Sequence, residues 1–162
     1  MHFFRLFILL LMVLVFTSSQ AQARTCYSKY EKEAEQGLRI HSELMVIGLT
    51  CLKAKGGKDL YHRYQLFTAK HAPLLEGYEN TLINFYRRGG HAKPEKSLHK
   101  LRTDLGNEIS HHAVRMGTTN FCNHFSGRID QALEMPRKKI RRWAQQDWDK
   151  QKNTHSVCFA ER

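Results

Sequence analysis

"CYSKYEKEAEQGLRIHSELMVIGLTC", residues 26–51, decides the fold of this chain. Mainly apolar and aromatic residues recur there at intervals of three and four positions, which is the spacing of one face of an α-helix. The positions that share this face are Tyr27, Tyr30, Ala34, Leu38, His41, Met45, Gly48 and Leu52. A cysteine stands at each end of the segment, so the predicted helix carries two points at which later parts of the chain can be attached.

The cysteine pairing follows from the length of that helix. All four cysteines lie after residue 23, and an even count in an oxidising compartment indicates two disulfides. A continuous helix places Cys26 and Cys51 about 37 Å apart, whereas a disulfide requires Cα atoms about 4.4–6.8 Å apart. These two therefore bond to Cys122 and Cys158 in one of two ways. A zinc site is disfavoured, since no pair has the usual gap of about two to four residues.

The rest of the chain also has helical spacing. "KGGK" at 55–58 and "RGGHAKPE" at 88–95 separate helices of about 26–54, 59–88 and 94–116. A fourth helix carries residues 121–133, and a fifth opens at Pro136 and covers residues 136–152. If the first three helices run up, down and up, the end of the third helix brings Cys122 close to Cys51. The fourth and fifth helices then run down and bring Cys158 close to Cys26. We therefore predict an all-α, up-and-down bundle of four to five helices, stapled by Cys51–Cys122 and Cys26–Cys158.

The first 23 residues have the pattern of a signal peptide. Arg5 precedes an apolar run at 6–16, and Ala21-Gln22-Ala23 matches the small-x-small cleavage pattern. The run is shorter than the about 18 apolar residues that span a bilayer. We expect cleavage after Ala23, a single helical domain at 24–162, and export to the bacterial periplasm or the extracellular medium. The absence of Asn-x-Ser/Thr acceptor sequences favours a bacterial source.

Charge suggests what the protein binds. The chain has 26 Lys and Arg against 15 Asp and Glu, a net charge of +11, and only one of these charges precedes residue 24. Such an excess attracts anionic partners. A predicted basic amphipathic helix concentrates it at Arg137, Lys138, Lys139, Arg141 and Arg142. We expect an interaction module for an acidic protein, a lipid headgroup or a nucleic acid, and the oligomeric state stays open.

A repeated spacing raises a metal-binding alternative. The pattern His-x3-Met-x5-Cys occurs at His41 and Met45, and again at His112 and Met116. Two imidazoles and two thioethers at one level of a bundle suit copper or haem iron. The competing interpretation is a core histidine bonded to a carboxylate, with Glu108 available to His112, and a methionine that fills the core. We favour no cofactor, with copper or haem as the alternative.

Enzyme signatures are absent from the sequence. It contains no Gly-x-Ser-x-Gly, His-Glu-x-x-His, phosphate-binding loop or dinucleotide fingerprint. A secreted hydrolase that cleaves glycosidic bonds needs a catalytic carboxylic acid in an environment that raises its pKa, and Glu108 beside an apolar stripe is the nearest candidate. We therefore expect binding rather than catalysis, with a secreted hydrolase as the less favoured alternative.

Overall fold

A computed structural model describes residues 26–53, 59–147 and 153–158; the predicted signal peptide at 1–23 lies outside them. The described residues form six helices and no strand. We label them α1 (Lys29–Thr50), α2 (Leu60–Arg88), α3 (Pro94–Met116), α4 (Thr118–Phe125), α5 (Gly127–Glu134) and α6 (Arg137–Ala144). The predicted all-α bundle is therefore confirmed. Within the described ranges, no helix combines the length and the apolar character needed to cross a membrane.

Helix α1 is the central element. It begins after Ser28, whose hydroxyl accepts the Glu31 N–H while the Glu31 carboxylate accepts the Ser28 N–H. This reciprocal cap gives hydrogen-bond acceptors to two backbone N–H groups at the start of the helix. Sixteen of the 22 residues of α1 are buried, whereas a surface helix buries one stripe. The other five helices all pack against α1, so it is covered on nearly every side.

Contacts between the long helices give their directions. Arg88 at the end of α2 binds Glu31 at the start of α1, so these two helices are antiparallel. Arg102 of α3 donates to Glu79 of α2 at 2.7 Å, and α3 returns antiparallel to α2 after a short turn. Helix α3 is therefore parallel to α1, and the predicted up, down and up order is confirmed.

Both predicted disulfides are confirmed. Cys51 at the end of α1 is bonded to Cys122 on α4, with 5.5 Å between the Cα atoms. Cys26, just before α1, is bonded to Cys158 in the C-terminal tail, with 5.1 Å between the Cα atoms. The two bonds hold α1 at both ends. Backbone hydrogen bonds from Tyr27 to Ser156 and from Cys158 to Tyr27 tie the tail to the same end as the second disulfide.

The later helices differ from the prediction in their boundaries. The predicted fourth helix is divided into α4 and α5 at Ser126, which precedes a residue of low helix propensity, Gly127. Helix α4 also starts three residues earlier than expected, directly after Gly117. That glycine has a φ of +80°, a backbone conformation that lets the chain turn sharply between α3 and α4. Helix α6 ends at Ala144, and residues 148–152 of the predicted fifth helix lie outside the described residues.

Three side chains assigned to buried faces are exposed. Tyr30, near the start of α1, is 73% exposed, and Leu52, just after its end, is 42% exposed. His112 is also exposed. The buried stripe of α3 consists of Leu98, Leu101, Leu105, Ile109 and Ala113. The stripe continues in steps of four after Leu101, so it passes through Ala113 and leaves His112 on its flank.

Close packing of α1 against α2 yields a stability prediction. A Cβ atom on Gly37 would lie 2.2 Å from the ring of Tyr78, whereas one on Gly77, an exposed position of α2, would meet nothing within 4 Å. We expect Gly37→Ala to destabilise the fold by about 1–3 kcal/mol, because the ring must move. The matched change Gly77→Ala should stabilise it by about 0.5–1 kcal/mol, because alanine is the better helix former. Urea unfolding measures both, and equal midpoints would contradict the close approach.

Candidate functional site

The predicted basic cluster lies on α6, a helix of eight residues. The apolar side of this helix, Ile140 and Ala144, is buried against the bundle, and Trp143 packs partly buried on the same core. Four of the five predicted cations are exposed. They are Arg137, Lys138, Lys139 and Arg142. Across the residues that the structure describes, none of these four forms an ion pair.

The fifth cation, Arg141, anchors α6 to α1. Its Nε and Nη2 atoms donate to the two carboxylate oxygens of Glu33 at 2.6 and 3.0 Å. Gln145 and the Tyr78 hydroxyl donate to the same carboxylate at 2.7 and 3.0 Å. Burial alone would raise the pKa of Glu33, but these hydrogen bonds and the Arg141 charge outweigh it and lower the pKa. The structure thus gives Arg141 a structural contact that the other four cations lack.

A lysine that the sequence pattern did not single out extends the basic surface. Lys70 of α2 is exposed, and its ammonium group donates to the Leu133 carbonyl at 2.5 Å, just before α6. Burial, together with the charges of Lys70 and Arg137, lowers the pKa of His71. Both cations therefore lie near the same imidazole. Lys70 is 67 residues away from Arg137 in the chain, so only the fold could reveal this neighbourhood.

His41, the first predicted metal ligand, is buried between α1 and α2. Its Nε2 lies 3.0 Å from the Tyr64 hydroxyl and 3.1 Å from Oγ1 of Thr68. Burial, with a smaller contribution from the charge of Arg102, lowers the pKa of His41 to about 4. The imidazole is therefore neutral at pH 7 and has hydroxyl partners, as expected of a satisfied core histidine.

The other predicted metal ligands lie elsewhere. His112 is exposed on α3, with its ring centroid 6.0 Å from that of Phe125 on α4. Met45 and Met116 are partly buried, and they line two separate open grooves. His41 and His112 thus contact different helices. Within the described ranges, no group of three His, Cys, Asp or Glu side chains could hold a metal ion. Copper or haem binding by His and Met stays a prediction.

Glu108, the nearest candidate for a catalytic carboxylate under the hydrolase alternative, is in a different environment from the one that such a role needs. The side chain of Glu108 is 52% exposed and accepts a hydrogen bond from Arg39 at 2.6 Å. It is therefore bonded to an arginine rather than to His112. Glu43 is the buried carboxyl whose pKa is raised, because burial outweighs the attraction of Arg128. Glu43 lines neither the groove at Met45 nor the groove at Met116.

Comparison of the chain with protein-family models, with curated proteins and with solved structures finds no match. Function is therefore inferred from the surfaces of the molecule, and the exposed side of α6 carries four cations without an ion-pair partner among the described residues.

The two arginine environments on α6 can be separated by mutation. Arg141→Gln should destabilise the protein by about 1–3 kcal/mol, because it leaves the buried Glu33 carboxylate without its charged donor. Arg142→Gln, on the exposed side of the same helix, should change stability by less than about 0.5 kcal/mol. Urea unfolding at pH 7 measures both variants. Equal losses of stability would show that Arg141 does not hold α6 in place.

His41 makes stability depend on pH. An unfolded histidine titrates near pH 6.5, but folded His41 does so near pH 4. Between these pH values the unfolded state binds a proton at this histidine and the folded state does not. The free energy of unfolding therefore decreases as the pH falls from 6.5 toward 4, by about 3 kcal/mol in total. We expect the urea midpoint to fall less between pH 7.5 and 5 in His41→Gln than in the wild type. The exposed control His111→Gln should match the wild type, and an unchanged slope in His41→Gln would contradict the burial of His41.

Proposed function

We propose that the protein is an exported, non-catalytic helical bundle that binds an anionic macromolecule through the exposed cations of α6. The observation that carries the proposal is the set of four exposed cations on one eight-residue helix, with no ion-pair partner among the described residues. Lys70 adds a fifth positive charge beside the start of the helix. Neighbouring cations of this kind attract phosphate, sulfate or carboxylate groups that are spaced along a polymer or a surface.

The distribution of charge in the bundle supports this proposal. Several carboxylates of α1 are buried, while the arginines that bind them remain partly exposed. The Glu33 side chain is 4% exposed and that of Arg141 is 43% exposed; for Glu31 and Arg88 the values are 6% and 55%. Negative charge is thus withdrawn from the surface more than positive charge. An approaching partner meets a surface more basic than the composition alone indicates.

The packing of α6 favours binding at an aqueous surface. A basic amphipathic helix that inserts into a bilayer needs a free apolar face. Ile140 and Ala144 are 1% and 0% exposed, so this face is occupied by the bundle itself. Contact with lipid headgroups would have to rely on charge alone. A nucleic acid, an acidic protein or another soluble polyanion suits the surface better than the interior of a membrane does.

Export is part of the same proposal. Two disulfides are compatible with an oxidising compartment, such as the bacterial periplasm or the extracellular medium. The signal-peptide pattern at 1–23 supplies the route. No cofactor is needed for binding of this type.

A charge-matched pair of variants tests the proposal. The first changes Arg137, Lys138, Lys139 and Arg142 to Gln and leaves Arg141 in place, because Arg141 holds α6 on the bundle. It should elute from a heparin column at clearly lower salt than the wild type. On duplex DNA, the slope of log K against log salt should fall by about 3 to 4, since each lost phosphate contact contributes about 0.9.

The control variant loses the same number of charges at scattered positions. It changes the exposed residues Lys29, Lys93, Lys96 and Arg115 to Gln. A specific role for α6 requires this control to elute closer to the wild type than the α6 variant does. If the two variants elute at the same salt, binding depends on net charge alone and the proposed site is wrong.

A further inference from the structure

An open groove with a volume of about 420 Å³ runs between α1 and α3, and α6 takes no part in it. Its size lies within the range of about 300–1,000 Å³ that small-molecule sites occupy. The α3 wall extends from His99 to Ser110 in steps of three and four residues, so it is one face of that helix. The eleven residue-to-residue steps from His99 to Ser110 correspond to about 16 Å, which makes the groove elongated.

The two walls differ in chemistry. The α1 wall consists of Met45, Val46 and Leu49, which are all apolar. Leu49 is 48% exposed, so its side chain is available for contact. The α3 wall carries the side chains of His99, Arg102, Thr103, Asn107 and Ser110. A ligand that fills the groove therefore meets hydrocarbon on one side and polar groups on the other.

A glycine keeps the groove open. Gly106 lies in the middle of the polar wall, and a Cβ atom there would meet only Cε of Met45, at 4.0 Å. Glycine in a helix interior is less favourable than alanine by about 1 kcal/mol, so Gly106 does not serve the stability of α3 itself. Here the packing is loose, and the space that a side chain would fill belongs to the groove.

Arg102 is the one lining residue with a permanent charge, and it is ion-paired with Glu79, which lies outside the lining. No Asp or Glu is among the lining residues. One Nη group of Arg102 donates to Glu79 at 2.7 Å, but a guanidinium has five N–H donors. Donors thus remain for an anionic group, and Asn107 lies on the same helical face.

We propose that this groove binds a small aliphatic carboxylate, with the carboxylate at Arg102 and the hydrocarbon chain against Met45 and Leu49. This site is independent of the polyanion surface on α6. Arg102 supplies charge and hydrogen bonds, and the α1 wall supplies the apolar contact. Each half of the ligand contributes, so neither a short carboxylate nor an uncharged aliphatic alcohol binds as well.

Calorimetric titration of the disulfide-bonded chain tests the ligand class. Octanoate should bind saturably, and both acetate and octanol should bind about tenfold more weakly or worse, because each loses one set of contacts. Absence of saturable octanoate binding overturns the proposal. Equal binding of octanol and octanoate overturns the role of Arg102 as the carboxylate partner.

Two glycine variants locate the site. Gly106→Leu should weaken octanoate binding by about tenfold or more, because the new side chain occupies the groove. Gly77→Leu, an equal change at an open position of α2, should leave the affinity unchanged. Leu49→Gln provides a second weakening variant at an exposed position, should Gly106→Leu fold poorly. Wild-type affinity in both Gly106→Leu and Leu49→Gln overturns the proposal.

The variant of α6 with four Gln substitutions separates this site from the polyanion surface. It should retain wild-type affinity for octanoate while it loses affinity for heparin. If it loses octanoate binding instead, the carboxylate is held by α6 and the groove is not the site.

Discussion

The bundle depends on the pairing of buried carboxylates on α1 with arginines from the helices that cover it. Removing a carboxylate from water costs several kcal/mol, so the glutamates of α1 can be buried only if the neighbouring helices supply cationic side chains that bind them. Three glutamates of α1 each bind an arginine of a different helix. The pairs are Glu31–Arg88 of α2, Glu33–Arg141 of α6 and Glu43–Arg128 of α5. A fourth, Glu35, accepts the backbone N–H of Thr154 at 2.9 Å and so binds the C-terminal tail. The arrangement of the helices is therefore also an arrangement of charges.

This pairing links the core to the proposed binding surface. Arg141 is directed to Glu33 and the apolar side chains Ile140 and Ala144 are buried. The cations of α6 that are exposed to solvent are Arg137, Lys138, Lys139 and Arg142. Burial of the apolar face of α6 removes it from any interaction with a bilayer. The Arg141–Glu33 ion pair and the burial of Ile140 and Ala144 together fix which side chains of α6 are exposed.

Local spacing predicted the helices, their directions and both disulfides, because these follow from helix length and from the reach of a cysteine side chain. It did not predict that α1 is buried on nearly all sides. The glutamates of "EKEAEQ" resemble a solvated face, and the arginine partners of Glu31 and Glu33 are 57 and 108 residues away in the chain. The partner of Glu43, further along α1, is 85 residues away. For the same reason, the pattern assigned Arg141 to the solvent-exposed cluster and missed Lys70.

Repeated spacing did place His41 and His112 on parallel helices, but spacing does not fix the direction of a side chain. His112 is exposed, and His41 is bonded to α2.

Ion pairs and disulfides make different contributions to this fold. A buried ion pair contributes little net free energy, because desolvation offsets most of the attraction, but a wrong arrangement that leaves a glutamate unpaired is costly. The pairs therefore select the helix arrangement more than they stabilise it. The disulfides span 71 and 132 residues, and each stabilises the fold by about 4 to 5 kcal/mol in the chain-entropy model, although the shorter loop lies within the longer. A bundle with a charged central helix thus obtains much of its stability from covalent bonds that form only under oxidising conditions. The polar core and the disulfides are therefore complementary, since without the two covalent bonds the ion pairs alone would have to hold α1 in place.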